Sequence, residues 1–169
     1  MRQARKNTKR RALFGLLIRI VVIVCILFLI TRFVLALYRQ EGNNMFPSVR
    51  DGDLCFILKT GDPVKDEVVL WRGPDGQKRL ARIVAVQGQQ ITMSGGRYMV
   101  DGYVPPETVL YDTDPAEEAD IAYPYSIPDG QFFLLNDYRD EKTDSRMYGA
   151  VDRNHIIGRL VFLFRRRGF

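Results

Sequence analysis

Hydrophobic positions along this chain change period once, near residue 40. From Ala12 to Tyr38 apolar side chains occur on every side of a helical wheel, interrupted by Arg19 and Arg32. A soluble-core helix carries a stripe instead, so the pattern predicts a single membrane-spanning helix. The uncharged interval from Ile20 to Thr31 covers only ~18 Å at ~1.5 Å per residue, against roughly 30 Å of hydrocarbon. Outward stretching of the two arginines, by about 5 to 6 Å each, closes the gap and leaves their charges among headgroups. A cleaved secretory signal is the competing reading, but its apolar region runs to about 15 residues at most, and this one is longer.

Beyond residue 53 the pattern becomes short apolar runs separated by turn residues. Strands are expected at Leu54 to Leu58, Glu67 to Trp71, Leu80 to Val86, Gln90 to Met93, Tyr98 to Val100, Gln131 to Leu135 and Ile156 to Phe164. Asp75-Gly76 and Gly95-Gly96 have the composition of hairpin turns, and few windows carry helical period. The fold class is therefore mainly β, an antiparallel domain behind one N-terminal helix. Tyr103 to Asp129, rich in proline and acids, reads as a solvated loop or protruding hairpin, with an acidic binding surface as the alternative.

Charge refines this into three parts. The chain carries a net +5, yet residues 1–39 hold nine Lys or Arg and no acid, leaving 16 basic against 20 acidic residues from 40 onward. Residues 1–11 are thus a basic tail expected on the cytoplasmic side, 12–38 the anchor in the lipid bilayer, and 39–169 a mildly acidic domain outside the cell membrane. A nucleic-acid partner is not expected, because phosphate binding needs basic charge on the folded domain itself. At the C-terminal end, Arg165 to Arg167 beside Phe169 form either a solvated tail or a lipid-facing patch. Cys25 and Cys55 lie in different kinds of segment and predict no disulfide. His155 has no neighbour at ligand spacing, so neither a metal nor another cofactor is expected.

Chemistry concentrates in four stretches. Glu41-Gly42-Asn43-Asn44-Met45-Phe46-Pro47-Ser48-Val49-Arg50-Asp51-Gly52-Asp53 is a loop rich in residues of special backbone angle. Ala81-Arg82-Ile83-Val84-Ala85-Val86-Gln87-Gly88 is an apolar strand led by an arginine. Asn136-Asp137-Tyr138-Arg139-Asp140-Glu141-Lys142-Thr143-Asp144-Ser145-Arg146-Met147-Tyr148-Gly149 packs charges densely, and Ile157-Gly158-Arg159 follows. In this order they resemble the boxes of bacterial type I signal peptidases. The first matches Gly-x-Ser-Met-x-Pro-Thr-x-x-x-Gly-Asp at Gly42, Met45, Pro47, Gly52 and Asp53. The third matches Gly-Asp-Asn-Arg-x-x-Ser-x-Asp-Ser-Arg-x-x-Gly at Asp137, Arg139, Asp144, Ser145, Arg146 and Gly149.

The resemblance implies a serine nucleophile and a neutral lysine base, the latter desolvated until its pKa falls into the working range. This chain has Asn44 at the serine position and Ala81 at the lysine position, so neither catalytic residue is intact. Gln87 and Gln89 replace a Pro and an Asp of the second box, and Tyr138 replaces an Asn. Lys142 stands where the family has a serine that hydrogen-bonds the catalytic lysine, so a displaced dyad that uses Lys142 is one expectation. Ser48 and Cys55 have no evident base, and Lys78 would need a slipped strand register to enter the site.

What the resemblance still implies is a peptide groove, bounded by Asn43, Asn44, Met45, Phe46, Pro47, Ala81, Ile83, Val84 and Lys142. Arg82, Asp137, Arg139, Asp144, Ser145 and Arg146 are expected to be its structural support. In lacking the dyad the chain looks similar to the SipA-type proteins of Gram-positive pilus gene clusters, which assist sortase-mediated pilus polymerisation. The implied partners are an exported polypeptide, a pilin or a sortase. A structural membrane scaffold is the remaining alternative.

Overall fold

The computed structural model describes residues 2–106, 111–119 and 121–165, and the chain divides into two units, Met1–Ala36 and Leu37–Phe169. The first unit is α1 (Arg2–Leu29), continued by one π-helical turn at Ile30–Val34. Within it Phe14–Val34, 21 residues of mean hydropathy 2.9, is long and apolar enough to cross a membrane, and none of that stretch is buried inside the protein. At ~1.5 Å per residue those residues reach about 31 Å, the thickness of a hydrocarbon core. Helix does not extend to Tyr38 as the apolar run implied. Leu35 switches to extended backbone and opens β1 (Leu35–Arg39), a boundary that periodicity cannot place inside a continuous apolar stretch.

The second unit holds two antiparallel sheets. Its main strands are β2 (Leu54–Leu58), β3 (Val68–Arg72), β4 (Lys78–Val86), β5 (Gln90–Ser94), β6 (Arg97–Val100), β7 (Tyr125–Ser126), β8 (Gln131–Leu135), β9 (Val151–Asp152) and β10 (Ile156–Phe164), with a one-turn helix α2 (Ser145–Tyr148). The seven-stranded sheet runs β1-β2-β10-β3-β4-β8-β9 and the smaller one β6-β5-β7. All seven expected strands are present, with Asp75-Gly76 between β3 and β4 and Gly95-Gly96 between β5 and β6.

Register shifts let single strands serve two environments. β4 slips against β8 between Ile83 and Ala85, so Ala81 and Ile83 join Val69, Trp71 and Leu134 in one core cluster. Val84 and Ala85 join Ile91, Met93, Tyr98 and Phe133 in the other. β10 slips against β3 between Ile156 and Gly158, and a Cβ at position 158 would lie 2.3 Å from the Leu58 carbonyl oxygen. Only glycine permits that approach of two backbones.

The acidic stretch is less solvated than its composition suggests. Thr113, Ala116 and Ile127 are buried, the Thr113 N–H donates to the Gly96 carbonyl (2.8 Å), and Tyr125–Ser126 pairs with β5. Residues 107–110 and Asp120 of that stretch, and Arg166, Arg167 and Phe169 of the basic C-terminal patch, lie outside the described residues.

Candidate functional site

The first box is a loop closed at its neck and plugged from below. Gln40 N–H donates to the Asp53 carbonyl and Gly52 N–H to the Gln40 carbonyl, each at 2.9 Å. Between these points Met45 and Val49 are buried at 0% and 1% exposure, anchoring the loop by the burial of two apolar side chains. That leaves little freedom for the residue between neck and plug, Asn44, which is 4% exposed.

The Asn44 amide is saturated by its surroundings. Its Nδ2 donates to the Leu80 carbonyl (2.7 Å) and to Asn136 Oδ1 (3.1 Å), and its Oδ1 accepts from Gln40 Nε2 (2.6 Å). Asn136, at the glycine position of the third box, passes the network on by donating from Nδ2 to the Glu141 carbonyl (2.9 Å). Gln40 Nε2 also donates to the carbonyls of Glu41 and Gly42, while its buried Oε1 has no partner among the described residues. Gln40 and Asn136 were not foreseen as members of this cluster. The departure from glycine at 136 was visible in the motif; nothing in the pattern marked Gln40. Ala81 is wholly buried in the core cluster beside Val69 and Trp71, so the two positions present an amide and a methyl group.

Strand parity decides which backbone groups face this cluster. Gly73 N–H bonds the Gln77 carbonyl (2.9 Å) and Ile83 N–H the Glu67 carbonyl (3.0 Å), which together with the β3–β4 register directs the odd-numbered residues of β4 toward β3. Lys78 and Leu80 therefore point their carbonyls away from β3. β8 takes that edge from Arg82 onward, leaving a short open rim. β1 is the last strand at one end of the sheet, yet Tyr38 donates its hydroxyl to the Lys78 carbonyl (3.1 Å). The sheet thus curls until β1 and the start of β4 face each other.

Asp144 and Arg146 of the third box are bound into the fold. Asp144 caps α2 by accepting from Arg146 N–H (2.9 Å), and also accepts from the Asn136 N–H (2.9 Å). Arg146 and Asp144 form an ion pair at 2.8 Å with both side chains fully buried. The same guanidinium donates to the carbonyls of Arg139, Glu141 and Asp114, so one cation organises the whole loop. Ser145 Oγ accepts from the Leu134 N–H (2.9 Å), and Arg139 stacks over the Tyr98 ring at 5.4 Å. The second and third boxes are joined by Arg82 and Asp137, a two-point contact at 2.8 and 2.6 Å. Such forked charge-assisted bonds fix direction as well as distance.

Several expected groove residues lie elsewhere. Ile83 and Val84 are completely buried, each in one of the two core clusters, and Met45 is the plug beneath the loop, so none of the three lines an open surface. Lys142 donates to the Pro115 carbonyl (2.9 Å) and lines a hollow with Ala116, Glu117, Glu118 and Met147. The structure does not bring its ammonium to Asn44. Ser48 Oγ contacts Arg82 at 3.5 Å, a cation and not a base. Phe46 and Asn43 remain at the surface, bordering a cavity of about 400 Å³ with Arg50, Tyr111 and Tyr138. Burial pushes the Cys55 thiol up to about 11, aided by the charge of Asp53. Among the described residues no group of His, Cys, Asp or Glu is arranged to hold a metal ion.

Comparison with known proteins agrees with this geometry. The family model for signal peptidase, peptidase S26, matches residues 13–165. The chain is 28% identical over 173 residues to Signal peptidase IB of Staphylococcus aureus (strain Mu50 / ATCC 700699), covering 92% of this chain and 91% of that protein. It is 25% identical to Signal peptidase I of Bacillus licheniformis over 97% and 95% of the two chains. A crystal structure of a signal peptidase I from Enterococcus faecalis V583 shares the fold with a TM-score of 0.52 at 20% identity, covering 60% of this chain and 98% of that one. With box order, fold and family match in agreement from one end of the domain to the other, the chain belongs to the signal peptidase family, peptidase S26.

Proposed function

We propose that this chain is a membrane-anchored signal peptidase homologue that binds extended polypeptide without hydrolysing it, and that its role is to present exported polypeptides during assembly at the cell surface. The observation that carries this reading is the bonding of Asn44. Its nitrogen lone pair is delocalised and both of its N–H groups are engaged, while Ala81 supplies no proton acceptor. Loss of a nucleophile alone costs a serine protease on the order of 10⁶ in turnover. Polypeptide binding needs only a strand edge, and β1 and the rim of β4 supply one.

Pilus assembly is the setting we favour, with a pilin or a sortase as partner and the domain on the outer side of the membrane. The support is the resemblance to SipA-type proteins and the run of Lys and Arg in residues 2–11, ahead of the apolar span Phe14–Val34. The names of the relatives favour a second reading, an active signal peptidase with a displaced dyad built on Lys142. One experiment separates the two. Purified protein is mixed with the leader peptide of an exported precursor, and both binding and cleavage are followed. Binding without cleavage supports our reading; cleavage that stops on Lys142→Ala establishes the second. Copurification of a pilin or sortase with the tagged protein from membranes tests the partner, and recovery of neither above background removes it.

A further inference from the structure

The rim of β4 has just two outward carbonyls before β8 covers it, those of Lys78 and Leu80. Both are occupied by side chains of the same chain, the hydroxyl of Tyr38 and the amide of Asn44. An extended polypeptide adding to this rim would place its own N–H groups on those oxygens. The rim is therefore filled by surrogates of the ligand's backbone. We infer that Tyr38 is a displaceable latch that holds the groove shut, and that the groove opens to polypeptide when its hydroxyl lets go of Lys78. This inference rests on the polypeptide-binding reading above and adds a regulation to it.

The two surrogates differ in how firmly they are held. Asn44 is buried and has three partners in Gln40, Leu80 and Asn136; displacing it would leave the buried Asn136 Oδ1 without its donor. Tyr38 lies partly exposed on an edge strand, its bond to Lys78 is in contact with solvent, and water satisfies both groups once they part. Release thus begins at the Lys78 end, and a bound segment pairs there while Asn44 keeps Leu80. Gln40 Oε1, the acceptor of this cluster with no partner among the described residues, is complementary to a ligand that brings N–H donors.

The test uses full-length protein in detergent micelles and a fluorescein-labelled leader peptide of an exported precursor, titrated by anisotropy against wild type and Tyr38→Phe. The variant keeps the ring and loses the donor. A latch predicts that Tyr38→Phe binds roughly fivefold tighter, since the ligand no longer breaks a hydrogen bond to enter. Equal or weaker binding by Tyr38→Phe, with the wild type binding normally, overturns the latch and leaves the polypeptide-binding reading standing. Absence of binding by both proteins overturns that reading and the latch with it. An unchanged unfolding midpoint for Tyr38→Phe verifies that affinity and not folding is being read.

Discussion

Asn44 and Asn136 come from loops more than ninety residues apart in sequence and meet as buried side-chain amides at 3.1 Å. Amide pairs of this kind satisfy one another at low dielectric, and removal of either member leaves buried polar groups unpaired. The cluster therefore has a structural role of its own.

Replacing Asn44 with Ala should destabilise the domain by about 2–4 kcal/mol, because Leu80 O and Asn136 Oδ1 each lose a donor out of reach of water. Asn44→Ser should cost less, about 1–2 kcal/mol, as a hydroxyl can serve one of the two acceptors. Urea unfolding followed by the fluorescence of Trp71, the single tryptophan and 1% exposed, measures both. Asn44→Ser is also expected to leave peptide cleavage at background.

Restoring a lysine at position 81 should be costly. The Ala81 methyl packs within the core cluster of Val69, Trp71 and Ile83, so four extra methylene or ammonium groups overpack it and desolvate a charge. The expected loss is about 2–4 kcal/mol for Ala81→Lys. The same unfolding measurement checks it. The Asn44→Ser/Ala81→Lys pair is expected to stay inactive until Asn136→Gly removes the amide that contacts position 44, and an active double variant would show that Asn136 is no obstacle.

Breaking the Asp144–Arg146 pair should be among the most damaging single changes. Both side chains are fully buried, and an uncompensated buried charge typically costs about 3–5 kcal/mol. Arg146→Met additionally removes the guanidinium donors from the carbonyls of Arg139 and Glu141, the latter keeping only Asn136 Nδ2. Loss of soluble folded domain, or a fall of that size in unfolding free energy, is the expected readout for Arg146→Met and for Asp144→Asn.

Alkaline pH should weaken the fold in a defined window. Burial raises the Cys55 thiol from 9.0 to about 11 and the Tyr123 phenol from 10.0 to about 12, the latter with help from Asp144. A raised folded-state pKa means that the folded protein holds the proton more tightly, so stability is complete below pH 9 and declines as pH climbs toward 12. Cys55→Ala should flatten the early part of that decline, by about 2 kcal/mol at pH 11. Below pH 8, Cys55 should also resist alkylation in the native protein when Cys25 has been replaced by Ser.

Much of this was legible in the chain because it depends on local pattern. Short apolar runs bounded by turn residues marked the seven main strands, and turn chemistry located both hairpins. Arg82, Asp137, Asp144 and Arg146, marked by their box positions, form two ion pairs, Arg82–Asp137 and Asp144–Arg146. β1 escaped because an apolar run has no period that distinguishes its end as helix from its start as strand. The groove assignment of Ile83 and Val84 failed because both side chains enter core clusters completed by β8 residues fifty positions away, and packing over such a distance leaves no mark on the residues covered. Lys142 was read from its motif position alone, whereas the Pro115 carbonyl that holds it sits in an acidic stretch that composition had assigned to solvent.

The nine-residue strand β10 lies between β2 and β3, which do not pair with each other. Ribosomes make β2 and β3 about a hundred residues before the piece that joins them, so each early strand emerges with one edge open and stays that way until synthesis has passed Phe164. Assembly of the sheet is consequently a late event of high contact order, and a nascent chain halted before Ile156 would show two unprotected edges to whatever chaperone or neighbouring chain is nearby.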